Sequence, residues 1–287
     1  MDELERIRKN LETYPCLKEY IEPKIEALTK KNHPLISCLK KNTPIVKIMD
    51  NWLRTLNGHP GVSGIMKDLL ARPNIEQFQD CLAELEFAAY FFEKGCDVRI
   101  IPKDTAGTPD LFVSINGSSF TVEIKRFADP FENKNYQPGN VMIVDDIRKV
   151  HDKIDDSLKK KQFVENTPHI ILFRVCAGLS EGEIIDLLYQ KKGVCEISVI
   201  GKPDVILHGW VPYNGIFLEE SIQEETRYNL ISGVGVRYIS TSTSQDMITG
   251  EIHTTRPRFV YYPNPFAKYS LNRDILKKLG FAVFLIE

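Results

Sequence analysis

Several absences narrow what this chain can be. No apolar run approaches the roughly 18 residues needed to cross a bilayer, so no membrane-spanning helix is expected. Charge of one sign is missing as well. The 37 Lys and Arg against 39 Asp and Glu leave a formal net charge of -2, so any surface for a polyanion has to be local. Cys16, Cys38, Cys81, Cys96, Cys176 and Cys195 show no CxxC spacing, and His151, His169, His208 and His253 show no metal-ligand spacing. Zinc is therefore not expected, and reduced thiols in a cytoplasmic protein are the simplest reading. The N-terminal MDELERIRKN is charged and reads as helical rather than as a secretory leader.

What is present is ordinary globular material: 287 residues, 43% hydrophobic and 26% charged, enough for one sizeable core and a small appended domain. Residues 1 to 72 carry only helical periodicity. Leu4, Ile7 and Leu11 form one stripe, and Leu17, Ile21, Ile25 and Leu28 another. Thr43-Pro44 reads as an N-cap and first-turn proline for a helix ending near Gly58, and a shorter helix is expected over Ser63 to Ala71. His33 and His59 sit beside prolines in expected surface loops. This region can dock a partner, position a substrate or extend the core, and its pattern does not choose between them.

The chemistry concentrates between Ala83 and Arg126. Leu111–Ile115 and Phe120–Ile124 are short apolar-rich runs flanking Asn116-Gly117, a dipeptide suited to the positive φ angles of a type I′ turn. If those two residues alone form the loop, Ile115 pairs with Ser118 and Asp110 lies opposite Glu123. A loop from Asn116 to Ser119 instead sets Asp110 opposite Lys125. Either even-length loop keeps all three polar residues on one face, because strand side chains alternate with period two. Two carboxylates side by side repel unless a cation lies between them, and a hard divalent metal with an adjacent lysine relieves that repulsion.

The helix before the hairpin supplies another carboxylate. Asn74 is a suitable N-cap and Gly95 lies just past the end, with Phe78, Leu82, Leu85, Ala89 and Phe92 as the main apolar stripe. Glu84 shares a face with Cys81, Ala88 and Phe91 and is expected to point inward. Glu86 neighbours Gln79, Tyr90 and Glu93, on a face expected to be solvated.

Pro109-Asp110, twelve intervening residues, then Glu123-Ile124-Lys125, preceded by helical Glu84, together resemble the PD-(D/E)xK nuclease superfamily. The resemblance covers the segment from Glu84 to Lys125, and the following helix and strand fit its order. It implies an α/β, restriction-endonuclease-like mixed sheet flanked by helices over residues 73–287, with residues 1–72 as a helical extension. It also implies a metal-dependent endonuclease acting on DNA. Asp110 and Glu123 would bind Mg²⁺ or Mn²⁺, Glu84 would complete the site, and Lys125 would orient water or stabilise developing charge. A homodimer and a protein partner for the N-terminal helices are further expectations. A non-catalytic nucleic-acid-binding or interaction module of the same fold is the alternative. A separate, plainer reading has no site at all: Glu84 is a solvated helix residue, Asp110 a turn residue, and Glu123 with Lys125 the exposed face of an edge strand.

Around this core, Arg126 and Lys134, the latter in the loop after the hairpin, are candidate phosphate contacts, as is Lys153 on a helix expected from about Val144 to Phe163. Ile147, Val150, Ile154 and Leu158 give that helix its inner face, and Gln162 stands near its end. Ile170 to Val175 reads as a buried central strand. Ser180 with Glu183 resembles a capping box. Strands are expected over 195–200, 204–208, 233–240, 258–262 and 281–286, with a helix behind an N-cap at Ser270. Arg256, Arg258, Tyr261 and Tyr262 interleave basic and aromatic side chains suited to phosphates and bases.

Overall fold

The computed structural model describes residues 3–102, 107–127, 141–144, 146–160, 164, 166–175, 181–189, 192–199, 202–212, 215–218, 221–222, 226–238, 243–245, 252–254 and 258–284. The chain is α/β, with a seven-stranded mixed sheet and surrounding helices. It divides into two compact units, Met1–Thr105 with Pro109–Ser119 and Ala106–Thr108 with Phe120–Glu287.

The first unit begins with helices α1 (Glu3–Leu11), α2 (Pro15–Ile21), α3 (Ile25–Lys30), α4 (Pro34–Lys41), α5 (Pro44–Thr55) and α6 (Val62–Ala71). The stripe residues Ile7, Leu11, Leu17, Ile21, Ile25 and Leu28 are all buried, as their spacing predicts. Asp50 of α5 ties the bundle together: its carboxylate accepts from the Leu17 amide at 3.0 Å and from Arg54 at 2.8 Å. Thr43 stands at the N-terminus of α5 without capping it, its hydroxyl turned back to the Cys38 carbonyl. His33 is buried rather than on the surface. Its Nδ1 accepts from the Leu35 amide and its Nε2 donates to the Leu69 carbonyl, and burial lowers its pKa.

Helix α7 (Ile75–Glu93) is the spine of this unit. The Asn74 side chain accepts from the Glu76 amide at 2.8 Å, and Gly95 follows the helix at a φ of +77°. Helices α5 and α6 and strand β1 (Asp97–Ile100) pack against it, so it is covered on more than one face. That is why Glu86 is only 4% exposed, against the solvated face its spacing predicts. Phe92, assigned to the inner stripe, is instead exposed near the helix end, edge-on to the His59 ring. Strand β1 runs antiparallel to β2 (Leu111–Ile115).

The second unit holds β3 (Ser118–Phe127, the first two residues of which belong to the first unit) beside β5 (His169–Val175), in parallel register with Glu123 next to Ile171. Strand β5 in turn pairs parallel with β8 (Gly233–Tyr238), which is antiparallel to β11 (Arg258–Pro263), itself parallel to β12 (Ala282–Val283). Strand β5 is therefore central, as its continuous apolar run predicts. Helix α8 (Asp146–Lys159) buries Val150, Ile154 and Leu158, and α9 (Glu181–Tyr189) buries Ile184, Leu187 and Leu188. They share one core with Ile171, Phe173, Val234 and Val236 of the sheet.

Two small antiparallel sheets complete the unit. One contains β4 (Val141–Val144), β6 (Lys192–Val199) and β7 (Lys202–Pro212), and the other β9 (Thr243–Gln245) with β10 (Ile252–Thr254). Strand β4 ends at Val144, where the sequence pattern predicts the start of α8 and no strand. It forms by pairing with β6, a partner far away in sequence. The last helix, α10 (Arg273–Lys278), is capped by Asn272, which accepts from the Asp274 amide at 2.7 Å, rather than by Ser270.

Candidate active site

Alternation along β3 gives Thr121, Glu123 and Lys125 one side of the strand. Lys125 Nζ donates to Glu123 Oε1 at 2.5 Å, with the Glu123 side chain 2% exposed and that of Lys125 17%. Glu123 therefore does not belong to an exposed edge face. A carboxylate this deep needs cations or hydrogen bonds to compensate its lost hydration, and the Lys125 ammonium is one such partner.

Thr121 adds a residue that sequence spacing passes over. Its hydroxyl lies 2.7 Å from Nδ1 of His169, which stands in register with it at the start of β5. The imidazole is fully buried. Burial first, and the charge of Lys125 second, push its pKa down to about 3, so it is neutral at ordinary pH. The main chain of His169 is pinned too: its amide donates to Ser232 Oγ at 2.8 Å, and its carbonyl accepts from the Ser232 amide at 2.7 Å. No metal-ligand spacing flags His169, and its role becomes visible only when β3 and β5 lie side by side.

In the first unit, Asn116 and Gly117 have φ angles of +52° and +76°, as a type I′ turn requires. Ser114 Oγ and Ser119 Oγ are 2.8 Å apart across that turn. Their contact corresponds to the two-residue loop, the shorter of the alternatives the sequence allows. Asp110 precedes β2, half-buried, and its carbonyl accepts from the Ile101 amide at 3.0 Å, extending the β1–β2 ladder by one step. Glu84 is 8% exposed and lines a cavity of about 400 Å³. Its inward direction is the one its helical spacing predicts.

No family model, curated protein or solved structure matches this chain. Function therefore has to be argued from the side chains themselves.

Among the described residues, which include Glu84, Asp110 and Glu123, no three His, Cys, Asp or Glu side chains are grouped so as to hold a metal ion. The donor chemistry of Glu123 beside a lysine suits a hard cation that keeps most of its water, since Mg²⁺ is commonly held by one or two carboxylates. It does not suit the closed tetrahedral cage of a structural zinc.

The outlying basic residues fare differently from one another. Arg126 is buried at 7% exposure, Lys153 is half-buried, and Arg258 is exposed and paired with Glu181 at 3.0 Å. Lys134, Arg256 and Gln162 lie outside the described residues, as does Ser180 of the expected capping box. Tyr261 and Tyr262 do not present rings for stacking on bases. Both are buried, because β11 is covered on both faces.

Proposed function

We propose that this protein is a metal-dependent endonuclease that hydrolyses phosphodiester bonds in DNA. The observation that carries the reading is the ion pair of buried Glu123 with Lys125 on one face of β3. Strand interiors seldom hold a charged pair at such depth without a task for it, because removing two ions from water costs several kcal/mol per ion by rough estimate. The two-residue turn at Asn116-Gly117 is the loop length on which the hairpin part of this reading rests.

In this reading Asp110 and Glu123 hold Mg²⁺ or Mn²⁺, with Glu84 in support. The bound ion supplies charge neutralisation at the phosphate and a more acidic water. Lys125 does two things. In the free enzyme it neutralises Glu123, and with substrate its ammonium is a donor beside that carboxylate for orienting water or countering charge on the phosphate oxygens. Neutral His169, bonded to Thr121, adds no second cation beside Lys125, so the ammonium is not displaced from Glu123 by repulsion.

The test is cleavage of supercoiled and linear DNA in Mg²⁺, Mn²⁺ or EDTA by the wild type, Asp110→Asn and Lys125→Ala. Metal-dependent nicking and linearisation of supercoiled DNA is expected, falling at least about 100-fold in each variant. Cutting that persists in EDTA or in Asp110→Asn overturns the reading, as does a folded wild type that cuts nothing. That last outcome returns the protein to a binding or scaffold role.

A further inference from the structure

The cavity that Glu84 lines in the first unit carries more charge than one carboxylate explains. Lys67, Asp68 and Arg72 of α6 and its C-terminal cap line it, and Ile100, Ile101 and Pro102 at the end of β1 form an apolar wall. Lys67 is exposed, and Asp68 and Arg72 are half-buried. Among the described residues, no ion pair or side-chain hydrogen bond engages any of these three charged groups. Asp68 and Arg72 stand one turn apart, at the spacing where a helix ordinarily pairs opposite charges, and still do not meet. At about 400 Å³ the cavity falls in the size range of ligand sites. Its rim is open at Gly64, where an added Cβ would meet nothing within 4 Å.

Two cations left without carboxylate partners at the mouth of a cavity suit an anion, and a fork-shaped guanidinium with an ammonium suits the oxygens of a phosphodiester. The buried carboxylate of Glu84 in the same cavity disfavours a free anion deep inside and leaves the rim as the place for one. We propose that Lys67 and Arg72 contact a backbone phosphate of the DNA substrate, so that the N-terminal helical region positions the strand beside Glu84. The inference rests on the nuclease reading for the identity of the ligand. It assigns residues 1–72 a substrate-positioning task, one of the three their pattern allows. Neither residue touches the reacting atoms; both act on binding and register.

The experiment measures anisotropy of a short fluorescein-labelled DNA duplex, in EDTA to suppress cutting, over a salt series. Wild type, Lys67→Ala/Arg72→Ala, Lys67→Arg and Asp68→Asn are compared, with circular dichroism of each. The double variant is expected to bind about ten-fold more weakly at moderate salt, with the slope of log affinity against log salt reduced by about 2. Lys67→Arg is expected to keep the wild-type slope, and Asp68→Asn to bind at least as tightly as the wild type. With Mg²⁺ present, the double variant raises KM and leaves kcat close to the wild-type value. An unchanged affinity and slope in a folded double variant overturns the inference while leaving the nuclease reading intact. A wild type that binds no DNA overturns it as well. DNA binding weakened in the double variant, from a wild type that never cuts, supports the contact and sinks the nuclease reading instead.

Discussion

His169 illustrates how a single residue is defined by its neighbours. In the unfolded chain it titrates near the ordinary value of about 6.5. In the folded protein its pKa is near 3, through burial and the proximity of Lys125. As pH falls below about 6.5 the unfolded state takes up a proton that the folded state refuses, so stability declines steadily toward pH 3. Each unit of separation is worth about 1.4 kcal/mol. His33, also lowered by burial, acts in the same direction. The urea midpoint of the wild type is expected to fall between about pH 7 and 5, and that of His169→Gln to fall less. Equal pH dependence in both would show that the imidazole is not held neutral. Glu86 and Tyr261 carry the same lesson: a helical wheel or a strand alternation tells which neighbours a side chain has in its own element, and their burial was decided by other elements.

At the scale of elements, the hairpin and α7 are the parts most legible beforehand. The Asn-Gly turn, the Asn74 cap and the glycine after α7 are each local backbone requirements, and each is met where the residues stand. Gly117 at a φ of +76° is the position a β-branched side chain tolerates least. Gly117→Val is expected to cost on the order of 1–2 kcal/mol in urea unfolding. If the proposed nuclease reading holds, activity is expected to drop further than that loss explains, because the turn sets the register of the hairpin strands. Activity retained in proportion to stability would mean that this register does not matter to catalysis. The caps that moved are instructive. Thr43 gives its hydroxyl to the Cys38 carbonyl, one of the local side-chain to backbone bonds that compete with capping, and Asn272 rather than Ser270 stands at the residue before the last helix.

For the molecule as a whole, residue 73 reads as a boundary because periodicity changes character there, whereas the compact units divide after β2. Helix α7 belongs with the N-terminal helices: Phe78, Leu82, Leu85 and Phe87 are buried in a unit where α5 and α6 pack on it. A chain starting at residue 73 is therefore expected to expose those side chains and to lose cooperative thermal unfolding, as followed by circular dichroism and dye binding. A soluble fragment with a sharp melt would show that α7 does not need those helices.

The amino-acid order by itself determined the α/β character, the hairpin with its turn and the shared face of Glu123 and Lys125. It also set the inward direction of Glu84 and the central position of β5. These follow from backbone dihedral preferences and from periods of 2 and 3.6, which act over a few residues. Tertiary structure alone decided that His33, Glu86, Tyr261 and Tyr262 are buried, that Val141–Val144 is a strand, and that Thr121 meets His169. It also set Lys67 and Arg72 at the cavity of Glu84, without an ion pair among the described residues. Burial, pairing and the electrostatics that follow depend on what packs opposite, and that partner is brought near by the fold from a distant part of the chain.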